Sequence, residues 1–296
     1  MEWYIYAIVA PAFWALNNVF VKFLLAKRVQ SYFPAIISII IMDALFALAA
    51  LSFTSIEVKL PWTLYALAVG SMPLLAFWFY SKALLVEEVS RIVTLFQLIP
   101  VFVAILSAIF LNEILFPREY SGIILIVIAS TLISYKRAKK EKTFSRAFKF
   151  MIPFGLIIAT YTILEKYLLV YFDVWSLFFW SVMGAFLGVT FLLCVSKPRK
   201  EFISKITTVG KTSIFLTFLG EGIYVIGTLS SLLALSLADA SIASALFGLQ
   251  PFFVFFYMLF VSTFLPGVLR EELTKKAIVV KICAIALMFI GTSLIV

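Results

Sequence analysis

Apolar residues run along this chain in blocks of about twenty, and polar residues collect in the gaps between them. A helix of that length crosses the hydrocarbon core of a bilayer. The blocks predict ten spans, at about 4–25, 33–53, 62–85, 90–111, 120–135, 150–171, 174–196, 213–237, 241–264 and 277–296. The links are short, with two main exceptions. Residues 136–149, KRAKKEKTFSRAFK, form a basic linker, and 198–211 reads as an amphipathic turn lying at the headgroups. The link 265–276 is also longer than its counterpart in the first half.

One stretch is written twice. Residues 83–102, ALLVEEVSRIVTLFQLIPVF, and 234–253, ALSLADASIASALFGLQPFF, align without a gap at an offset of 151. Ala83, Leu84, Ser90, Leu95, Phe96, Leu98, Pro100 and Phe102 meet identical residues, and Glu88 meets Asp239. Chance Leu and Phe matches do not account for the shared Pro, Ser and acid, so the pattern reads as a duplicated unit. Lys22–Leu25 resembles Lys166–Leu169, and Ile128–Ile133 resembles Ile290–Ile295, which extends the repeat across both halves. Five spans per half is an odd number, so the second half enters the membrane from the opposite side. The expected architecture is an all-α integral membrane protein: a five-helix repeat over 1–135, the linker 136–149, and an inverted five-helix repeat over 150–296.

Composition supports the membrane. The chain is 64% hydrophobic and 13% charged, with a mean hydropathy of +1.13, whereas a soluble domain needs about a quarter of its residues charged. The net charge of +9 does not imply nucleic acid, because the basic residues fall in loops between spans. With ten spans, 21 of the 24 Lys and Arg face one side, leaving Lys59, Arg118 and Lys166 opposite. The positive-inside rule then puts the basic loops in the cytoplasm and both termini outside. The first span starts almost at Met1 without a basic n-region, which predicts no cleaved leader. Histidine is absent, so neither a haem axial His nor a Ser-His-Asp triad can be built from this chain. Cys194 and Cys283 read as buried space-fillers within apolar runs. No metal site and no cofactor are expected.

The candidate chemistry lies in a few polar positions inside the spans. Asp43 sits near the middle of the second span, where an isolated charge costs about 2.5–3.5 kcal/mol on insertion scales. It reads either as a group for a proton or a cation, or as a neutral acid bonded to a neighbouring helix. Glu221 lies between Gly220 and Gly222 and corresponds in the repeat to Gly70, which Pro73 follows. Both third spans therefore read as interrupted at matching places, a pointer to a binding site. Close helix packing with Glu221 reaching the interface is the bland alternative. Pro100 and Pro251 are expected to bend the fourth and ninth spans. Glu88/Ser90 and Asp239/Ser241 read as N-caps opening those spans. Lys22 and Lys166 read as snorkelling to the interface. Trp14, Asn17, Asn18, Trp78, Tyr80, Gln97, Tyr161, Tyr224 and Gln250 are the remaining residues best suited to line a cavity.

Ala12-Phe13-Trp14-Ala15 with Val21-Lys22, the two repeated stretches with Pro100-Val101-Phe102 and Pro251-Phe252-Phe253, and Asn112-Glu113 after the fourth span occur in this order along the whole chain. In this it resembles the EamA-type branch of the drug/metabolite transporter superfamily, Asn112-Glu113 standing where that family has a Gly-Glu pair. The resemblance implies a carrier for small metabolites, often an exporter of amino acids or related compounds, with a central cavity between its halves. It departs from the family at Met42-Asp43, where Arg is common, a change that could invert the preferred substrate charge. The family's basic termini inside are likewise at odds with termini outside here. The expected partners are a small-molecule substrate, the lipid bilayer of a plasma or inner membrane, and protons as candidate coupling ions, with a monomer and a homodimer both open. An uncoupled facilitator or lipid-carrier flippase, a receptor or structural protein, and a membrane enzyme are the rivals; the last would gather acids at one interface, and here they are scattered.

Overall fold

A computed structural model describes residues 2–28, 32–84, 86, 95–134, 147–206, 211–264 and 275–296. All regular structure among them is helical: α1 (Trp3–Arg28), α2 (Tyr32–Ala50), α3 (Trp62–Leu84), α4 (Leu98–Phe110), α5 (Pro117–Ser134), α6 (Phe148–Leu168), α7 (Val174–Cys194), α8 (Ser196–Ile206), α9 (Lys211–Leu237), α10 (Ala240–Phe247), α11 (Gln250–Phe264) and α12 (Lys275–Ile295). Five stretches are long and apolar enough to cross a membrane: Trp62–Ala83, Phe148–Leu168, Val174–Cys194, Ile214–Leu237 and Ala240–Val261. Shorter apolar helices add to them. The outer surface carries exposed Leu75, Ile105, Phe191 and Phe289, which a bilayer covers without the cost that water would impose. An integral, multi-pass membrane protein fits these features. Cys194 and Cys283 are free and lie on the outer surface of their apolar helices.

α1 packs along α9, α3 along α6 and α7, α5 along α12, and α2 along α7. One apolar core gathers Ala7, Val103, Ile126, Leu246 and Met288; a second gathers Ala66, Leu168, Leu177 and Leu232. Small residues set the closest approaches, as helix packing in lipid requires. A Cβ on Gly70 of α3 would collide with the Ser181 carbonyl of α7, and one on Gly184 with the Leu67 carbonyl. Gly70 is therefore a packing residue, and α3 continues through both Gly70 and Pro73. α9 continues equally through Gly220 and Gly222, the latter facing the Phe46 ring. The predicted interruptions of the two third spans are thus corrected: neither helix breaks there.

The breaks occur one span later. The ninth span divides at Gly248-Leu249 into α10 and α11, just before Gln250-Pro251, and α4 begins at Leu98 after a turn at Phe96-Gln97, just before Pro100. Proline lacks an N–H and crowds the carbonyl four residues back, so the helix gives way on its N-terminal side. Phe252 N–H turns to the Leu249 carbonyl, and the Ser130 hydroxyl of α5 donates to the Gly248 carbonyl at 2.6 Å. The break is thereby satisfied within the protein, the condition for irregular backbone at membrane depth. Residues 198–206, expected as a turn, form most of the short helix α8. Glu88, Ser90 and the linker 136–146 lie outside the described residues, as does most of 265–276.

Candidate functional site

Three helices bring polar side chains together around Tyr224 of α9: Asp43 of α2, Glu221 of α9 and Glu165 of α6 each lie within its electrostatic reach, and Asp43 and Glu221 lie within reach of one another. Tyr161 of α6 joins them beside Glu165. Tyr161 and Glu165 are one helical turn apart, so they share a face, close enough for their side chains to interact. Glu165 Oε1 and Asp43 Oδ1 are buried with no hydrogen-bond partner, and Glu165 and Glu221 are 5% and 2% exposed. Buried polar atoms are ordinarily paired, so such orphans call for an explanation.

The sequence-predicted residues divide. Asp43, Tyr161, Glu221 and Tyr224 meet in this cluster. Trp14 packs between α1, α9 and α10: its Nε1 donates to Thr228 Oγ1 at 3.4 Å and its ring meets Phe247 edge-on at 5.4 Å. Asn17, a turn further along α1, is buried with Oδ1 unpartnered. Tyr80 joins Phe96 and Phe154 in an aromatic group. Gln97 is buried with Oε1 unpartnered, in the turn that precedes α4, and Gln250 begins α11 half-buried. Asn18 is exposed, and Trp78 is 43% exposed with Lys82 Nζ over its ring at 5.5 Å, so the structure sets both apart from any interior lining. Two grooves, of about 380 Å³ between α2 and α9 and about 490 Å³ between α4 and α5, are lined by apolar residues except for Tyr120. Among the described residues no group of three His, Cys, Asp or Glu is placed to hold a metal ion.

Glu165 escaped the sequence reading. It sits one turn from Tyr161, a candidate in its own right, and that spacing is the signal for it in the sequence. Lys166 also departs from its expected role. Rather than snorkelling, its Nζ donates to the Leu235 and Ala238 carbonyls at 2.8 and 2.9 Å, closing the C-terminus of α9. This satisfies end carbonyls that no helical N–H reaches, with a charge that suits that end of the dipole.

The cap of α10 is likewise not the predicted one. Asp239 stands at the N-cap position without a side-chain bond, and the buried Glu113, between α4 and α5, supplies the acceptors for Ala240 and Ser241. Glu113 is aimed there after Asn112, which has a φ of 55°. That left-handed conformation suits Gly first and Asn next, so Asn can occupy the first place of the Gly-Glu pair. Around the same end of α6, Lys59 bonds Glu57 and the Tyr171 carbonyl at 2.6 and 2.7 Å, and Trp180 Nε1 donates to the Glu57 carbonyl at 2.8 Å.

Among curated proteins, none matches the sequence. A solved structure, recorded simply as a crystal structure of a protein, is similar over 98% of this chain and 94% of its own, with a TM-score of 0.74 at 16% identity. That likeness concerns the fold alone. Residues 1–135 match the model of the EamA-like transporter family, which belongs to the drug/metabolite transporter superfamily, and this match points to a membrane transporter of small molecules rather than an enzyme.

Proposed function

We propose that the protein is a secondary transporter that exports a small polar metabolite, such as an amino acid, by alternating access between two inverted five-helix halves. The ten spans are then α1 to α7 without exception, α9, α10 with α11, and α12, with α8 at the headgroups. The halves cover 1–135 and 150–296. The pattern of helix contacts supports a two-fold relation. Exchanging α1 with α6, α2 with α7, α3 with α9 and α5 with α12 turns the α1–α9 contact into α6–α3 and returns α2–α7 and α5–α12 to themselves. Such a relation is what an inverted repeat produces.

The observation that carries the proposal is the placing of Asp43 and Glu221 beside Tyr224, with Glu165 within reach of the same tyrosine. These groups come from α2 in one half and from α6 and α9 in the other. Relative movement of the halves would change their spacing, and with it their hold on a proton or a substrate. Asp43 serves as the coupling carboxyl. The bonds made by Glu113, Lys59 and Trp180 tie the halves at one end, which supports a state closed there. On the Lys and Arg count that end is external, in a plasma or inner membrane with the basic loops cytoplasmic.

The test is counterflow of labelled metabolites in proteoliposomes under an imposed pH gradient. A carrier of this kind accumulates label, and Asp43→Asn keeps the fold while abolishing the pH dependence. PH-dependent flux that survives in the variant removes Asp43 from coupling. Flux indifferent to the gradient in the unaltered protein identifies an uncoupled facilitator.

A further inference from the structure

We propose that the seam between α2 and α9 is a gate at the end of the molecule opposite the Glu113, Lys59 and Trp180 bonds, held apart by the Phe46 ring and closing onto Gly222. This rests on the inverted-repeat carrier reading and adds to it the helices that part and meet.

The seam that is shut lies beside those bonds. Glu57 and Lys59, just before α3, bond Tyr171, Ser176 and Trp180 around the start of α7. α3 and α7 then cross within about their first three turns. A Cβ on Gly70 would overlap the Ser181 carbonyl, and one on Gly184 the Leu67 carbonyl. Backbone meets backbone there, an approach that only small residues permit.

Exchanging α3 with α9 and α7 with α2, as the repeat prescribes, turns that crossing into the α2–α9 seam. These two helices touch far less than α3 and α7 do. The Phe46 ring spans the gap between them. It stacks on Phe218 with centroids 4.7 Å apart and planes 17° from parallel, and its tip lies 3.1 Å from where a Gly222 Cβ would stand. A groove of about 380 Å³ remains alongside, between Met42 and Leu45 of α2 and Ile214, Phe215 and Phe218 of α9. Phe215 is near the start of α9, and the Lys166 bonds are near its end, roughly 30 Å away at 1.5 Å per residue.

One seam is thus closed on glycine, and its repeat counterpart is open by the width of a ring. Two copies of one unit can take each other's conformations, and in inverted copies that exchange turns the opening to the other side. Packed interfaces favour two discrete arrangements over a continuum. In the exchanged arrangement the Phe46 ring turns out of the seam, the groove closes, and α3 leaves α7. Gly222, next to the repeat counterpart of Gly70, supplies the small residue that the new crossing needs.

The test uses the full chain in proteoliposomes, carrying Cys194→Ser and Cys283→Ser. Leu45→Cys and Phe215→Cys, on opposite walls of the groove, are joined by a mild oxidant. Nitroxides attached through ketone side chains at the exposed positions Leu64 and Trp175 report the α3–α7 separation by pulsed electron resonance. A disulfide is expected to form, and the Leu64–Trp175 distance to lengthen with it and return on reduction. Phe46→Ala is expected to speed the joining at least tenfold, and Gly222→Leu to slow it at least tenfold; either variant decides should the other fail to fold. The proposal is overturned if no disulfide forms, if one forms without a change between α3 and α7, or if folded variants join at the unaltered rate. Counterflow separates the two readings. A protein that accumulates label without this movement keeps the carrier and loses the gate, whereas movement without flux of any solute does the reverse.

Discussion

Glu113 closes the start of α10 from a distance of more than a hundred residues along the chain. Its Oε1 accepts from the Ala240 N–H at 2.8 Å, and its Oε2 accepts from the Ser241 N–H at 3.1 Å and the Ser241 hydroxyl at 2.9 Å. A helix N-terminus presents N–H groups with no intrahelical acceptor, and a carboxylate there gains from the dipole as well as from its hydrogen bonds. Here the acceptor is buried, so the bonds are not shared with bulk water.

Removing that acceptor is therefore expensive. Glu113→Ala is expected to lower stability by about 2–3 kcal/mol, the scale of bonds to a charged group plus donors left unpaired. Glu113→Gln keeps one acceptor and loses less. Thermal unfolding in detergent measures both. Two variants as stable as the unaltered protein would mean that Asp239, and not Glu113, caps α10 in solution.

Lys166 tests the other end of the same turn. Because its Nζ holds two terminal carbonyls of α9, Lys166→Met is expected to cost about 1–3 kcal/mol. An ammonium that merely reached the interface would be replaced at almost no cost. Hydrogen exchange at residues 234–238 locates the effect: faster exchange confined to that turn is the expected pattern, and unchanged exchange would count against the cap.

Much of this architecture is legible in the sequence for a plain reason. Lipid imposes one dominant rule, that spanning segments be apolar and helical, and the rule marks α3, α6, α7 and α9 to within a few residues. Pro100 and Pro251 also announce the breaks before α4 and α11, since the missing N–H is a property of the residue itself. Gly70 and Gly220–Gly222 misled for the converse reason. A glycine in an apolar run is equally compatible with a broken helix and with a close crossing, and only the partner backbone, Ser181 for Gly70, decides between them. Glu165, Glu113 and Lys166 take their roles from groups remote in the chain, and nothing local to those positions records which helix end or which carboxyl they will meet.

The close crossing yields a sharp contrast between two glycines. A Cβ at position 70 runs into backbone, the Ser181 carbonyl, which can move only if α3 and α7 separate; at position 222 it meets the ring of Phe46 at 3.1 Å, a side chain with room to turn. Gly70→Ala is accordingly expected to destabilise by about 1–3 kcal/mol or more, the range of overpacking. Gly222→Ala should stay within about 1 kcal/mol, helped by the better helix propensity of Ala. Fluorescence-monitored thermal unfolding separates them. Equal tolerance at both positions would show that Gly70 does not set the α3–α7 distance.

Asp239 supplies the pH dependence. Partial burial pushes its carboxyl above the ordinary range, as do the acids Glu113 and Glu119 nearby, while Lys166 opposes them. A carboxyl raised in the folded state holds its proton more firmly there than in the unfolded chain. Its contribution to stability is thus complete below the unfolded value of about 4. It is lost as pH rises through the folded value. Asp239 makes no side-chain cap bond, so Asp239→Asn removes the titration without removing a bond. Relative to the variant, the unaltered protein should therefore lose thermal stability as pH climbs from about 4, and the variant should lack that component of the slope. Parallel unfolding curves for the two proteins at every pH would show that neither burial nor the neighbouring acids raise the Asp239 carboxyl.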